Sequence, residues 1–259
     1  MGNMKAAAIA AIAATVLGIT FSGATAKEES PQAVTTPKTA KKVASKPAVA
    51  PKVVKDEAFK TGNALKLIRE ISAIPRHKIP PELLKGASAI AIFPKASKND
   101  FMISGASAGG VLLSHDRDGS WSNPLFVTLS GGTLGWQAVA EPLDIIMVIK
   151  NKKHVDAILK EKLFIDAKIS TTSGRLGLSL KGATAKELKA DITSYVRSRG
   201  AFVEDSTLGA TTLQLDPAAN EKFYAKPKIA PSEILSGRDL KSTDDTKALQ
   251  KLLSDYGAK

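Results

Sequence analysis

The chain has 259 residues, 43% of them hydrophobic, with a formal net charge of +12 and no cysteine. This length and apolar content are typical of one sizeable core with additional tails. The positive charge favours anionic partners such as phospholipid headgroups or acidic polymers, and the lack of cysteine excludes disulfides, zinc–thiolate sites and thiol nucleophiles.

Residues 1–26 have the pattern of a secretory signal peptide. Lys5 gives a positive N-terminal region, residues 6–21 form an apolar run, and small residues precede a predicted cleavage site after Ala26. We therefore expect export to a periplasmic or other cell-envelope location. The alternative is an uncleaved membrane anchor, although the run is shorter than the ~20 residues that a spanning helix needs.

Residues 27–56 are rich in Ala, Val, Thr, Pro and Lys. Such a composition buries too little apolar surface to offset the entropy lost on ordering, which predicts a disordered basic linker. Its lysines could approach an anionic surface, or the segment could be a solvated spacer.

We expect order to begin near Glu57 with an amphipathic helix over residues 59–74. Its apolar residues recur at helical spacing and Pro75 ends it. A short second helix follows at residues 80–86, with proline at its start and Gly86 at its C-terminal end.

From residue 87 to about 150 the pattern is that of short strands. They are predicted at 88–94, 101–104, 110–115, 125–129, 134–140 and 144–150. Asp118-Gly119 is typical of a hairpin turn, and the glycine pairs 109–110 and 131–132 would allow bends or bulges. This spacing favours an antiparallel barrel or curled sheet.

The C-terminal part alternates between helices and strands. Helices are predicted at 151–161, 216–224 and 241–256, the first two capped by Asn151 and Asp216. Strands are predicted at 163–169, 176–180, 191–197, 201–204 and 207–215. The fold class is therefore α+β, an antiparallel β-barrel-like curled sheet with flanking α-helices.

Nine short motifs follow one another along the chain: Leu84-Lys85-Gly86-Ala87, Ala89-Ile90-Ala91-Ile92-Phe93-Pro94-Lys95, Gly109-Gly110-Val111, Asp118-Gly119-Ser120-Trp121-Ser122-Asn123-Pro124, Gly132-x-x-Gly135-x-Gln137, Tyr195-x-x-Ser198-x-Gly200, Asp216 with Asn220, Phe223-Tyr224 and Ile234-Leu235-Ser236-Gly237. Their order and spacing are typical of the SYLF family, and the chain resembles that family from about Glu57 to Gly237. We assign residues 57–240 to a SYLF-like domain and residues 241–259 to a C-terminal amphipathic helix.

The resemblance implies a lipid-binding domain built on a β-barrel-like antiparallel sheet. Eukaryotic members bind phosphoinositides through an amphipathic helix at the N-terminus of the domain, and some bind actin; bacterial members are commonly exported. The chain departs from the family pattern at Asn99-Asp100-Phe101, at the missing proline near Ser173-Gly174-Arg175, and at Gly200-Ala201-Phe202-Val203-Glu204.

The candidate lipid-binding site is the helix at 59–74 with its basic flank. Its apolar face could enter the headgroup boundary while the basic groups approach the anionic surface. The alternative is that this face packs on the sheet as core. The candidate residues are Phe59, Lys60, Lys66, Arg69, Arg76 and Lys78.

Three other functions receive weaker support. Residues 105–109 match G-x-S-x-G around Ser107, but a serine hydrolase needs a helix after that motif and a base, for which His115 or His154 with Asp144 would have to serve. Asp116-x-Asp118-Gly119 lacks the remaining ligands of a calcium loop. Nucleic-acid binding is disfavoured by an aromatic content of 5% without a recognised motif.

We therefore predict a non-catalytic domain, without cofactor or metal, that attaches peripherally to anionic phospholipid or phosphoinositide-like headgroups at the cell envelope. The main alternative is an envelope structural or protein-interaction module, whose partner would be an envelope protein or a cell-wall polymer.

Overall fold

The computed structural model describes residues 52–74, 78–96, 107–116, 118–131, 142–166, 168–174, 183–198, 201–202, 210–237, 240 and 242–258. Predictions on residues 1–51, on strands at 101–104, 134–140 and 176–180, and on Arg76 and Trp136 fall outside these ranges. None of the described helices combines the length and apolar character that a membrane crossing requires.

The described residues form seven helices and nine strands. The helices are α1 (Lys52–Ala73), α2 (Pro81–Lys85), α3 (Lys152–Lys160), α4 (Ala185–Lys189), α5 (Pro217–Tyr224), α6 (Pro231–Ser236) and α7 (Asp244–Gly257). The strands are β1 (Ala89–Ala96), β2 (Ala108–Ser114), β3 (Leu125–Gly131), β4 (Leu143–Ile149), β5 (Lys162–Ile165), β6 (Thr171–Ser173), β7 (Ile192–Ser198), β8 (Ala201–Phe202) and β9 (Thr211–Leu215).

The strands make one curled, half-barrel sheet, which confirms the predicted fold class. Its order is β5-β9-β3-β2-β1-β4-β7-β6, and β8 pairs with β7. The pairings are antiparallel except between β6 and β7, which are parallel. The central strands are apolar on both sides, because helices cover both faces of the sheet.

Two hydrophobic cores lie on the two faces. In β1 the side chains alternate between them: Ala91 and Phe93 point into the first core, Ile90 and Ile92 into the second. The first core includes Val155 of α3 and packs under α6. The second core is covered by α1, α2 and α7, and α7 contributes Leu249, Leu253 and Tyr256.

Helix ends follow the predicted capping chemistry. The Asn151 side chain accepts a hydrogen bond from the Lys153 N–H at 3.0 Å, and Asp216 accepts one from Ala219 at 3.0 Å. The first helix, however, begins at Lys52 rather than near Glu57. A helix that is anchored by packing extends at little cost, because propagation is easier than nucleation.

Three local features differ from the sequence-based expectation. The strand expected at 163–169 ends at Ile165, since Asp166 turns the chain by accepting the Lys168 N–H at 2.8 Å. The short helix α4 was not predicted, although Thr184 and Glu187 form a capping box at its start. Strand β6 was also missed, because a three-residue strand has too little periodicity to detect.

The glycine pair at 109–110, which would allow a bend or bulge, makes neither. Both glycines lie inside β2, with unbroken register to Thr128 and Val127 of β3. A Cβ atom at Gly110 would stand 2.4 Å from Cδ1 of Phe93 and 2.5 Å from the carbonyl oxygen of Ile92. Glycine is therefore needed there because the Phe93 ring lies directly on the backbone.

Candidate functional site

Helix α1 crosses the sheet on the second core. Near its N-terminal half Lys60 reaches Gly109 of β2, and in its C-terminal half Glu70 bonds Arg197 of β7. Both contacts lie towards the same end of the strands, because Gly109 is near the start of β2 and Arg197 is near the end of the antiparallel strand β7.

The apolar face of α1 is buried in this core. Ala64, Leu65, Leu67, Ile68 and Ile71 are all at most 3% exposed. Burying each large aliphatic side chain contributes about 1.5–3 kcal/mol, so releasing this face would cost an amount comparable to the ~5–15 kcal/mol that stabilises a whole domain. The core-packing interpretation therefore describes this face, and α1 does not leave the sheet cheaply.

Three of the predicted site residues share the opposite side of the helix. Phe59 is 63% exposed, the side chain of Lys66 is 75% exposed, and Arg69 is exposed as well. The spacing of seven between Phe59 and Lys66 and of three between Lys66 and Arg69 puts them on one side of the cylinder. We call Phe59, Lys66 and Arg69 the outer face of α1.

The other predicted residues lie elsewhere. Lys60 is turned towards the sheet: its ammonium group is 2.8 Å from the buried Glu57 carboxylate, and its side chain is 30% exposed. Lys78 is exposed in the segment before α2, and Arg76 is outside the described residues. The structure thus brings Phe59, Lys66 and Arg69 together and commits Lys60 to an internal ion pair.

An ion cluster that the sequence did not reveal fastens α1 to the sheet. Arg197 donates to Glu70 of α1 at 2.8 Å and to one oxygen of Asp144 of β4 at 2.7 and 3.0 Å. The other Asp144 oxygen accepts the Lys95 N–H at 3.0 Å. Burial by itself would lower the pKa of Arg197, but its hydrogen bonds to both carboxylates, together with their negative charge, outweigh burial and raise the pKa. We call the side chains of Arg197, Glu70 and Asp144 the Arg197 clamp.

Replacing Arg197 with Ala should lower the free energy of unfolding by about 2 kcal/mol, because it leaves the partly buried Asp144 carboxylate without its counter-ion. Denaturant unfolding followed by circular dichroism measures this change. Arg69→Ala is the matched control, since Arg69 is exposed, and should change it by less than ~0.5 kcal/mol. Equal losses for the two variants would show that Arg197 does not fasten the helix.

The residues proposed for hydrolysis are not assembled into a catalytic site. Ser107 is followed directly by strand β2 rather than by the helix that a nucleophile elbow requires. Asp144 is bound by Arg197, and His154 lies 3.8 Å from Asp191. His115 Nδ1 donates to the Ala87 carbonyl at 3.0 Å, which fixes the ring beside the hairpin.

Asp116 and Asp118 form the predicted hairpin turn. Asp118 accepts hydrogen bonds from the Ser120 N–H at 2.9 Å and from its hydroxyl at 2.7 Å, and these bonds lower the Asp118 pKa. Gly119 has φ +85°, which suits glycine. Within the described parts of the chain no cluster of His, Asp and Glu has the arrangement of a metal site.

Trp121 packs within the hairpin rather than at the surface. It is 5% exposed and stacks on His115 with ring centroids 4.4 Å apart. Its carbonyl oxygen accepts a hydrogen bond from Gln250 of α7 at 3.0 Å. This contact joins the hairpin to the C-terminal helix, in agreement with the expected packing role.

A cleft of about 1030 Å³, which was not predicted from the sequence, opens beside this hairpin. Its lining carries charges of both signs, from Lys85 and Lys152 and from Asp116 and Asp118. With balanced charges and no described polar side chain buried within it as an anchor, the cleft selects no particular ligand chemistry.

Comparison with known proteins shows which family and which relatives this chain is similar to. The Ysc84 family, described as "Las17-binding protein actin regulator", matches residues 130–256. An SH3 domain-containing YSC84-like protein 1 from Xenopus laevis is 27% identical over 202 residues, which cover 76% of this chain and 59% of that protein. The human protein of the same name is 27% identical over 180 residues, covering 67% and 52%. LAS seventeen-binding protein 3 from Saccharomyces cerevisiae is 29% identical over 163 residues, covering 62% and 35%.

Residues 130–256 match the SYLF (Ysc84) domain. The aligned part of the chain spans from about a third to three fifths of the length of these relatives. The family description and the name of the yeast relative concern binding or regulation. The family match extends through most of α7, in keeping with the packing of that helix on α1 and α2.

Several SYLF motif residues hold the domain together. Asn220 of α5 exchanges hydrogen bonds with the backbone of Phe126, and the Tyr224 hydroxyl donates to the Pro124 carbonyl at 2.7 Å. The ring of Tyr195 covers Gly174, where a Cβ atom would stand 1.9 Å from Cε1. These motifs therefore specify packing, and the exposed residues of α1 are the better candidates for binding.

Proposed function

We propose that this SYLF domain is a non-catalytic module that attaches peripherally to anionic phospholipid, including phosphoinositide-like headgroups, through the outer face of α1. The observation that carries the proposal is the 63% exposure of Phe59 on the same side of the helix as Lys66 and Arg69. A large aromatic side chain in water beside two cations suits the boundary between headgroups and acyl chains.

The energetics favour a shallow, electrostatic attachment. Each basic residue near an anionic surface contributes about 1 kcal/mol, and inserting Phe59 adds the burial of one aromatic ring. Lys78, exposed five residues after the end of α1 in the sequence, would add a further cation. The Arg197 clamp and the buried apolar face keep α1 on the sheet, so the domain binds without unfolding its first helix.

The site of action would be the cell envelope. The signal-like residues 1–26 support export, and the basic segment that follows would add charge near the same anionic surface. The attachment requires no cofactor.

Charge reversal on the outer face tests the proposal. The chain from Lys27 should co-sediment with vesicles containing anionic lipid, and less so at high salt because exposed charges are screened. The triple variant Phe59→Ser, Lys66→Glu, Arg69→Glu should bind at least roughly tenfold more weakly, since it loses the ring and reverses both cations.

The control is the double variant Lys160→Glu, Lys168→Glu, which makes the same change of net charge at exposed lysines; Lys160 lies on α3, which packs on the first core rather than on the second core that α1 covers. It should bind nearly as well as the unchanged chain, and both variants should keep the thermal unfolding midpoint. A folded triple variant that binds anionic vesicles as the unchanged chain does would remove this site from consideration.

A protein-interaction module is the second candidate, because the family description and a yeast relative refer to Las17 or LAS seventeen binding. In this chain the partner would be an envelope protein or a cell-wall polymer. Two results together would favour this candidate. The chain would bind no vesicles of any composition, and it would stay bound to purified envelope fractions after detergent treatment.

A further inference from the structure

A second basic surface lies at the opposite end of the sheet from the Arg197 clamp. It consists of exposed lysines around Leu188, an apolar side chain that is 42% exposed. We call Lys150, Lys152, Lys153, Lys186 and Lys189 the lysine patch.

Hydrogen bonds fix the elements that carry the patch. The Lys150 ammonium donates to the Leu188 carbonyl at the end of α4, and the Lys150 N–H donates to the Asp191 carbonyl at 2.9 Å. The Asn151 side chain bonds the Asp191 carboxylate at 3.2 Å. These contacts hold the start of α3 beside the end of α4.

The charges of the patch are poorly compensated. Lys152 pairs with Asp156, but Lys153, Lys186 and Lys189 have no carboxylate partner among the described residues. The first turn of α3 contains two lysines and no acid. Cations there oppose the helix dipole, so this arrangement is unfavourable for the isolated fold. Charges that weaken a fold locally are characteristic of surfaces used for binding.

The lysine patch and the α1 contacts with the sheet lie at opposite ends of the strands. The Arg197 clamp includes Asp144 at the start of β4, whereas Lys150 follows the end of that strand. Six residues of strand span about 20 Å. In addition, α3, which carries Lys152 and Lys153, packs on the first core and α1 on the second, whereas α4 contacts the second core through the bond between Tyr195 and Glu187. The separation therefore runs along the strands: a bilayer that contacts the end at which α1 crosses the sheet leaves the lysine patch, at the other end, free.

We propose that the lysine patch binds a second anionic membrane surface, so that one domain bridges two bilayers. This inference rests on the proposed function, because the first bilayer is the one bound by α1. The exposed Leu188 among exposed cations suits a fluid, uniformly anionic surface, whereas an acidic polypeptide would be better recognised by paired donors in a groove.

Capture of vesicles on a supported bilayer tests the bridge. The chain from Lys27 is bound to a supported bilayer containing anionic phospholipid, unbound protein is washed away, and fluorescent vesicles of the same composition are added. The triple variant Lys153→Glu, Lys186→Glu, Lys189→Glu should still bind the supported bilayer but capture at least roughly tenfold fewer vesicles. The same lysines changed to arginine should restore capture.

A control triple variant, Lys162→Glu, Lys222→Glu, Lys247→Glu, has the same net charge and changes exposed lysines outside the patch, so it should capture vesicles as the unchanged chain does. Capture that is unaffected by reversing the patch overturns the bridge and leaves the proposed function standing. Absence of any capture by the unchanged chain, despite binding to the supported bilayer, overturns it too and favours an acidic protein partner. Failure to bind the supported bilayer overturns both proposals.

Discussion

Gly110→Ala is expected to lower the free energy of unfolding by about 3 kcal/mol, a large effect for one methyl group. The new Cβ would stand 2.4 Å from the Phe93 ring and 2.5 Å from the Ile92 carbonyl oxygen. The ring is fully buried and the carbonyl belongs to β1, so neither atom can move without disturbing the central strands. The thermal midpoint should fall by roughly 6–12 °C, measured by differential scanning calorimetry.

Gly109→Ala is the matched control, one residue earlier in the same strand. Its Cβ would meet Nζ of Lys60 at 3.0 Å, the far end of a flexible side chain that can shift. The expected loss is below ~1 kcal/mol. If the two variants were equally stable, the close contact between Phe93 and β2 would not exist as described.

Asn220→Ala should cost about 2–4 kcal/mol of unfolding free energy. The Asn220 carboxamide accepts from the Phe126 N–H at 2.9 Å and donates to the Phe126 carbonyl at 3.0 Å, as a neighbouring strand would. It also donates to the Asp216 carbonyl at 2.8 Å. The residue is 4% exposed, so its removal leaves the buried Phe126 N–H without a partner, while the Phe126 and Asp216 carbonyls each keep one backbone N–H donor. Denaturant unfolding of the two proteins measures the difference.

Asn220→Asp gives a sharper version of this test. It keeps the acceptor for the Phe126 N–H but loses the amino group and directs a carboxylate at two carbonyl oxygens, so it should destabilise at least as much at neutral pH. Lys222→Ala, an exposed change on the same helix, should stay within ~0.5 kcal/mol. An Asn220→Ala protein as stable as the Lys222→Ala protein would contradict a structural role for this motif residue.

The binding predictions and the stability predictions concern residues in different positions of the fold. Gly110 and Asn220 are buried, whereas the residues changed to test lipid attachment and vesicle capture are exposed. Loss of binding by a variant that keeps its unfolding midpoint would therefore report on the surface and not on the fold.

The local chemistry of the sequence determined most of the elements. Asn151 and Asp216 mark helix starts because their side chains satisfy free N–H groups, and Asp118-Gly119 marks a turn because glycine accepts a positive φ. Apolar runs located β1 and β4, and the order of motifs identified the SYLF family. These signals depend on neighbours within a few residues, which a sequence shows directly.

The tertiary structure decided which side of each element faces the sheet. The spacing of α1 predicted an apolar face but could not say whether core or bilayer would cover it, and it grouped Lys60 with Lys66 although Lys60 turns to Glu57 and the sheet. Gly110 is required by Phe93, and Glu70 meets Arg197 across 127 residues of chain. Such contacts join residues that are distant in sequence, so periodicity and capping carry no record of them and only the packed fold defines the surface left for binding.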